Sequence, residues 1–474
     1  GSCSGTRFFK SSEYIIDRNE IYEDGIILKN NPINYVIKTK SNKKILGIPL
    51  KKILYETSHP DPQGQFKKWL NKKEKRQKRL KNWITDKQIM ALNNYAVKFN
   101  DWLKKTGEAP AVYKSLDVKI SKDNIVQYYK NLGYFNVEVE SETENLNKKN
   151  LVVKYIIKPK ERYSIDSIKA SIESPELCIL YKENLKDQII KQGEPFEINK
   201  FEDERERLFT IFRNNGVYNF QQNSIQFTAS IDSTGKDLKI PINIKISNIQ
   251  NRVEDSLIKL TYKKYKIKDV SIFISDKNQI MDLAEYNDSI NYRGFNIFSE
   301  GKLKYNPKTI TSGITVKKGK FYSDLDRNLT YRYFTSLKNF KYPNINYTLL
   351  KENDSELNTT ILLSPRERFS LGFDLDLSHS NIQDFGIGVG GGLGIRNIFQ
   401  GAELLEINIK NTLGASRDIS RTGDQFFNIF ELGADIKLSV SRLLLPTFKN
   451  DLFPASMYPK TEIILGSSLQ ENVG

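Results

Sequence analysis

Residues that could carry out chemistry are few in this chain, and they do not converge. Gly386, Gly388 and Gly391 match the G-x-G-x-x-G pattern that binds the pyrophosphate of a dinucleotide. A true motif opens a helix directly after a strand, whereas here apolar and small residues continue to alternate past it. We therefore expect no nucleotide site at this position.

Acid–base and metal chemistry have equally little support. The two histidines are His59, in a Pro-rich loop, and His379, at the end of a predicted strand. His379 lies near Asp376 and imitates an acid–base pair, but no nucleophile motif, P-loop or cluster of metal ligands accompanies it. We expect a protein that is not an enzyme and that needs no cofactor and no metal.

The two cysteines have different surroundings. Cys178 stands between apolar residues and is expected to be a buried small hydrophobe. Cys3 follows Gly-Ser and precedes a short polar stretch, which is typical of a bacterial lipoprotein cleavage site. We predict that Cys3 is lipidated and tethers the chain to a membrane. The alternative is a Gly-Ser cloning scar before an arbitrary start.

Strands with a period of two begin at Phe369. Apolar Phe369, Leu371, Phe373, Leu375 and Leu377 alternate with small or charged residues, so one face of the strand is apolar. The same alternation predicts five strands, at Phe369–Ser378, Phe385–Arg396, Leu404–Leu413, Phe427–Leu443 and Thr461–Gln470. Strands of roughly 9–11 residues with one apolar face are typical of a membrane β-barrel.

Before this point one pattern recurs three times. Each unit has the predicted order strand, helix, helix, strand, strand. The helices before the last two strands are predicted at Ser121–Leu132, Phe201–Arg213 and Ser323–Leu337. The first unit contains a long insertion at about 42–116, with a second helix over Ile84–Leu103, and the third contains one at about 276–301 that we predict to be a loop.

The net charge of +16 favours acidic partners. Nine basic residues and one glutamate lie between Phe66 and Trp83 in the first insertion, with aromatic residues at both ends. This segment could contact anionic lipid headgroups or an acidic protein, or it could be a solvated helix with its charges pointing outward.

This order of units resembles the POTRA-plus-barrel family of outer-membrane assembly factors, the BamA and TamA group. The residues that carry the resemblance are Asn131-Leu-Gly-Tyr-Phe, Asn214-Asn-Gly-Val-Tyr and the turn Arg396-Asn-Ile-Phe-Gln-Gly-Ala-Glu. The cysteine at position 3 and the basic insertion are similar to the lipid-anchored TamL-type branch.

The resemblance implies a fold class of α+β POTRA repeats followed by the first part of an antiparallel transmembrane β-barrel. We predict an anchor and linker at 1–16, POTRA units at 17–162, 163–252 and 256–366, and about five barrel strands at 367–474. Because five strands leave open edges in lipid, we expect the sequence to stop partway through a longer barrel.

The resemblance also implies roles for particular residues. The first barrel strand, with Phe369, Leu371, Phe373, Leu375 and Leu377, would form the seam that receives client strands. Asn397, Phe399, Gly401 and Glu403 would belong to a periplasmic turn of the barrel.

The expected location is the outer membrane, with the POTRA units in the periplasm. The expected partners are client outer-membrane polypeptides, membrane lipid and a periplasm-spanning protein of the TamB kind.

Two other functions fit parts of the sequence. A two-partner secretion transporter also joins POTRA units to a barrel, but it typically has two units and a plug helix, whereas we count three units and identify no plug. A nucleic-acid-binding protein would explain the net charge and the basic segment. A barrel and a lipidated cysteine would place the chain where no nucleic acid is handled, so we expect no nucleic-acid partner.

Overall fold

The computed structural model describes most of the chain in separate segments. They are residues 13–29, 31–38, 40–45, 47–72, 86–147, 149–232, 234–253, 256–277, 283–350, 353–378, 385–415, 429–444 and 457–472. The chain forms two compact units: the first contains residues up to 170 with 188–204 and 227–244, and the second contains 171–187, 205–226 and 245 onward.

The first repeat lies in the first unit. Its elements are β1 (Ile15–Glu23), β2 (Ile26–Ile27), α1 (Leu50–Thr57), α2 (Pro62–Asn71), α3 (Asp86–Thr106), α4 (Ser115–Asn131), β3 (Glu138–Asn145) and β4 (Asn150–Lys158). The sheet order is β2-β1-β4-β3, with β1 parallel to β4 and β3 antiparallel to it. The core joins the inner sheet face to α4 through fully buried Ile125, Tyr155 and Ile157.

Helices α1, α2 and α3 form the predicted insertion. The His59 N–H donates to Asn100 Oδ1 at 2.7 Å, and Asn100 Nδ2 donates to the His59 carbonyl at 3.1 Å. These two hydrogen bonds hold the loop between α1 and α2 against α3. The backbone of His59 therefore has a structural role. Residues 73–83 of the basic segment lie outside the described residues.

The second repeat is β5 (Ser164–Ile172), α5 (Pro175–Glu183), α6 (Ile198–Asn214), β6 (Ile225–Ala229) and β7 (Lys239–Ile246). Its sheet order is β5-β7-β6. In β7 every second residue is buried, as period-two alternation predicts. A hairpin of β8 (Ile249–Val253) and β9 (Ser256–Leu260) follows, which the sequence did not predict.

The third repeat lies in the second unit and has a larger sheet. Its elements are β10 (Lys266–Ile274), β11 (Asp288–Tyr292), β12 (Phe295–Ser299), α7 (Pro307–Ser312), α8 (Asp324–Ser336), β13 (Asn344–Leu350) and β14 (Asn353–Leu363). The sheet order is β11-β12-β10-β14-β13.

The prediction of a loop at 276–301 is wrong. β12 pairs in parallel with β10, and β11 pairs with β12 through a two-residue turn at Arg293 and Gly294. Both turn residues have positive φ, 50° and 83°, as a tight hairpin turn requires. Polar Asn and Ser hid the buried alternation of Phe295, Ile297 and Ser299.

Glycine ends the long helix in the first two repeats. Gly133 follows α4 with φ of 91°, and Gly216 follows α6 with φ of 105°. A Cβ on Gly133 would lie 2.6 Å from the Phe196 carbonyl oxygen, so glycine is needed for space as well as for conformation. In the third repeat Lys338 takes the left-handed conformation after α8, with φ of 56°.

The last sheet is an antiparallel meander of five strands in sequence order. Its strands are β15 (Phe369–Ser378), β16 (Phe385–Arg396), β17 (Leu404–Ala415), β18 (Ile429–Val440) and β19 (Thr461–Asn472). The first two have the predicted bounds, whereas the others differ by a few residues at one or both ends.

The predicted α+β fold class is confirmed, because three α+β repeats, each with its first strand beside the last of its two closing strands, precede an antiparallel five-stranded sheet. Some helix bounds differ from the predictions: α4 begins at Ser115 instead of Ser121, and the helix predicted at Ile84–Leu103 spans Asp86–Thr106. None of the helices in the described segments is both long and apolar enough to cross a membrane.

Candidate strand-pairing edge and its anchoring turn

One face of the last sheet is predominantly apolar across all five strands, with Asn411, Ser467 and Glu471 as its polar residues. Antiparallel register places residues of neighbouring strands in rungs, and each rung lies on one face. The first rung is Phe369, Ile395, Leu405, Leu438 and Ile463, and the second is Leu371, Leu393, Ile407, Ile436 and Leu465. The predicted seam residues of β15 are 59–86 % exposed. A register slip of one residue in any strand would break this face, so the apolar pattern fixes the pairing.

The opposite face is polar, and the glycines of β16 leave space on it for the side chains of the neighbouring strands. Asn408 donates to Asp435 at 2.9 Å, and Lys437 pairs with Glu462 at 3.2 Å. Lys410 of β17 reaches Asp376 of β15 across the intervening strand. A Cβ on Gly388 would lie 3.3 Å from Asp376 Cβ and 3.4 Å from Lys410 Cε, so glycine leaves room for this contact.

The outer edge of β15 has no pairing partner among the described strands. The Arg396 N–H donates to the Arg368 carbonyl at 2.8 Å, which makes Arg368–Arg396 a hydrogen-bonded pair. Because such pairs alternate along an antiparallel ladder, even-numbered residues of β15 bond to β16. Odd-numbered residues such as Leu371 therefore direct their backbone N–H and C=O groups toward the open edge.

The turn between β16 and β17 is closed by a buried carboxylate. Glu403 is 3 % exposed and accepts hydrogen bonds from the N–H groups of Phe399 and Gly401, each at 3.1 Å. The Asn397 N–H donates to the Glu403 carbonyl at 2.7 Å, and Asn397 Oδ1 accepts from the Ala402 N–H at 3.1 Å. The turn thus has its own internal framework of hydrogen bonds.

The same turn is fixed to the third repeat. Asn339 is fully buried, and its Nδ2 donates to the Ala402 carbonyl and to the Leu337 carbonyl, both at 2.8 Å. Asn397 Nδ2 donates to the Lys304 carbonyl at 2.8 Å. Ala402 itself is buried in the core of the third repeat. These contacts fix the first barrel-type strands relative to the repeat that precedes them.

Lys338 is one of four non-glycine residues of this junction in the left-handed conformation, the others being Asn397, Gln400 and Ala402 of the turn. A lysine at φ of 56° costs roughly 1–2 kcal/mol relative to a right-handed conformation. Arg396 Nε donates to the Lys338 carbonyl at 3.2 Å, and the neighbouring Asn339 makes the buried contacts with Ala402. The conformation is therefore held by bonds that cross from the third repeat to the strands.

A second junction joins α6 to the start of α8. Arg213 donates to both carboxylate oxygens of Asp324, at 2.7 and 2.8 Å, and also to Tyr322 Oη at 2.6 Å. Burial raises the pKa of Asp324, but hydrogen bonds from Arg213 and Tyr322 outweigh burial and hold that pKa below its ordinary value. The carboxylate is therefore charged at neutral pH and pairs with Arg213.

The structure brings some predicted site residues together and leaves others apart. Asn397, Gly401 and Glu403 build one turn, while the side chain of Phe399 points outward and is 70 % exposed. The G-x-G-x-x-G glycines lie inside β16, and no helix begins there. Within the described segments no three His, Cys, Asp or Glu residues are grouped to hold a metal. Cys3 and His379 lie outside the described residues.

Sequence reasoning missed the partners of the turn. Asn339, Lys338 and Lys304 lie about 60–100 positions from the turn that they contact, so no local pattern connects them. The only sequence signal is the polar Asn339 beside apolar Leu337 and Phe340.

No protein-family model matches the chain, and no curated protein matches it. Solved structures do show similarity. POTRA domains 3–5 of BamA from Haemophilus influenzae match at 12% identity over 53% of this chain and 81% of that one, with a TM-score of 0.25. BamA from Haemophilus ducreyi lacking POTRA domains 1–3 matches at 12% identity over 66% of this chain, with a TM-score of 0.31.

CdiB from Acinetobacter baumannii matches at 11% identity over 66% of this chain, with a TM-score of 0.24. The chain spans 52% of the Haemophilus ducreyi BamA structure and 55% of CdiB. The chain's own strand order and register define its fold class.

Proposed function

We propose that the chain is part of an outer-membrane factor that receives client polypeptides in the periplasm and assembles or translocates them at a barrel edge. The observation that carries this proposal is the open edge of β15. It continues an apolar face that runs in register across five strands. It is also anchored through one turn to the third repeat.

The interaction at the open edge would be backbone hydrogen bonding between two strands, and it requires no covalent step. Odd-numbered residues of β15 offer N–H and C=O groups that an incoming strand can pair with. Main-chain pairing tolerates many side chains, which suits a factor that handles many clients. The chain would then act without an enzymatic step, cofactor or metal.

The location and partners belong to the same proposal. The repeats would stand in the periplasm and bind clients and a periplasm-spanning protein of the TamB kind. The apolar face of β15–β19 would contact lipid. Assembly of membrane proteins is the primary candidate, and two-partner secretion transport remains the second, since both use repeats joined to a barrel.

Proline at Leu371 tests the open edge. Leu371→Pro removes one outward N–H and leaves the β15–β16 ladder intact, so assembly of a client should slow roughly 2- to 10-fold, the effect of one hydrogen bond. The measurement is the rate at which the full-length factor in proteoliposomes assembles an eight-stranded outer-membrane barrel protein.

Two matched variants accompany this test. Leu371→Ala removes the side chain and keeps the N–H, so it should assemble the client at nearly the wild-type rate. Gly372→Pro removes a ladder N–H and should also weaken the β15–β16 pairing. Wild-type assembly by Leu371→Pro would exclude strand pairing at this edge, and release of a soluble client would favour the secretion alternative.

The proposal also includes a lipid anchor at Cys3. A thioether-linked lipid at this position would tether the first repeat to a membrane surface. Cells that express the full-length protein and are fed labelled fatty acid should label the wild type, and Cys3→Ala should lose the label. Equal labelling of the Cys3→Ala variant would reject the anchor.

A further inference from the structure

Helix α3 of the insertion exposes an apolar stripe. Leu92, Tyr95, Phe99 and Trp102 recur at spacings of three and four, so they share one side of the helix. Their exposed fractions are 46, 69, 60 and 52 %. The Phe99 and Trp102 rings stack with centroids 5.8 Å apart. The stripe extends for about 15 Å along the helix.

The stripe lies beside the side of α3 that packs on the insertion. Asn100, which makes the two hydrogen bonds to His59 described above, lies about 120° around the helix from the centre of the stripe. Leu103, four residues after Phe99, is buried and marks the edge where the packed side and the stripe meet. Helix α3 therefore already has its core contact, and the exposed aromatic residues need another explanation.

Positive charge borders the stripe and dominates the insertion. Lys98 and Lys105 are exposed, and each lies three residues after an aromatic of the stripe, Tyr95 or Trp102. Residues 42–116 contain eighteen Lys or Arg against six Asp or Glu, a net charge of +12. The whole chain carries +16, so this insertion supplies most of the net charge.

We propose that α3 binds the surface of an anionic membrane, with the stripe at the headgroup–acyl boundary and the lysines on the lipid phosphates. Interfacial helices combine an apolar face containing Trp, Phe and Leu with flanking lysines. Tyr and Trp suit this boundary because they have an apolar body and a polar end. A nucleic acid or a highly acidic polypeptide would satisfy the charge, but it offers little aliphatic surface to Leu92 and the rest of the stripe.

This inference is independent of the proposed function. It concerns only residues of the insertion in the first repeat, and it stands or falls without client assembly at β15.

The tryptophans make the insertion directly observable. All three tryptophans of the chain, Trp69, Trp83 and Trp102, lie within it. A Trp69→Phe/Trp83→Phe variant leaves Trp102 as the sole tryptophan, and excitation at the red edge of its absorption avoids the tyrosines. The full chain, held in phosphatidylcholine nanodiscs, is mixed with separate vesicles of phosphatidylcholine or of equimolar phosphatidylcholine and phosphatidylglycerol. A parallel set of vesicles contains brominated phosphatidylcholine as a quencher.

Trp102 emission should shift to the blue and be quenched by shallow brominated lipid with the anionic vesicles, and it should stay unchanged with phosphatidylcholine alone. Three results would overturn the proposal. The first is that Trp102 emission does not shift with anionic vesicles. The second is that a DNA oligonucleotide or polyglutamate causes an equal shift while brominated lipid causes no quenching. The third is that the emission is already blue-shifted before any vesicle is added. The last result would mean that the chain itself covers the stripe.

Charge variants separate the lysine contribution from general attraction. Lys98→Gln/Lys105→Gln should weaken vesicle partitioning about 30-fold, since each lysine near an anionic surface contributes about 1 kcal/mol. Lys239→Gln/Lys245→Gln makes the same charge change on exposed positions of β7 and should leave partitioning nearly unchanged. Equal weakening by both pairs would show that net charge alone causes binding and would reject a site on α3. Far-ultraviolet circular dichroism controls for folding.

Discussion

We expect Ser467→Arg to prevent assembly of the protein into the membrane, and we expect Ser468→Arg to be tolerated. Ser467 shares a rung with Phe373, Ile409 and Ala434 on the apolar face. Ser468 shares a rung with Asp374 and Lys410 on the polar face. A basic side chain on the lipid side of a barrel costs about 2–4 kcal/mol at the bilayer midplane.

The two serines are a matched pair. They are neighbours, are chemically identical, and are both exposed in the isolated chain. If the sheet faced water on both sides, each change would fall within about 0.5 kcal/mol, as exposed substitutions usually do. The measurement is the amount of full-length variant recovered folded in the membrane fraction. Equal recovery of Ser467→Arg and Ser468→Arg would contradict a lipid-facing apolar surface.

Glu403→Ala is expected to loosen the turn that fixes the strands to the third repeat. The change leaves the N–H groups of Phe399 and Gly401 without their acceptor. These two hydrogen bonds are part-buried and go to a charged acceptor, so their loss costs about 1–3 kcal/mol. Because local opening follows local stability, amide hydrogen exchange in residues 397–403 should accelerate roughly 5- to 150-fold.

Glu403→Gln is the matched control for this prediction. It keeps one side-chain oxygen that can accept a hydrogen bond and nearly the same volume, so exchange should accelerate less than in Glu403→Ala. Exchange in α6 should not change in either variant, since α6 does not contact the turn's hydrogen bonds. Unchanged protection of residues 397–403 in Glu403→Ala would mean that the buried carboxylate does not hold the turn.

The last sheet could be predicted well from sequence because its signal is local. Alternation with a period of two gave the bounds of β15 and β16 without error. Glycine in the left-handed conformation at Gly133 and Gly216 explains why the helix–Gly–aromatic signature recurs. The third repeat lacks that signature, because Lys338 replaces the glycine and is held there by contacts with residues of the strands.

Helix starts and short strands were predicted less well. Helix α4 begins six residues before the predicted start, because Ser115 and Asp117 lie in its first turn and Ser121, where the start was predicted, lies inside it. β11 and β12 were predicted as a loop because each has only five residues, and the Asn and Ser content of the segment resembles that of a loop. Tertiary pairing with β10 decides their conformation, and no local pattern contains that information.

Sequence patterns indicated only the part of the candidate site that lies in one continuous segment of the chain. Alternation predicts the strand β15, and the family resemblance singles out its edge and the turn residues Asn397, Gly401 and Glu403. Their partners Asn339, Lys304 and Lys338 come from the third repeat, and Arg213 pairs with Asp324 across 111 positions. Such contacts depend on how the elements pack, so sequence patterns of one segment do not reveal them.

The most direct test of the central claim is membrane fractionation of the full-length native protein, followed by gel electrophoresis with and without heating. We expect recovery in the outer membrane and a band that changes mobility on heating, because a folded antiparallel barrel resists detergent until it is heated. Recovery in the soluble fraction with no change of mobility would contradict the barrel. The strands β15–β19 would then have to bury their apolar face against protein.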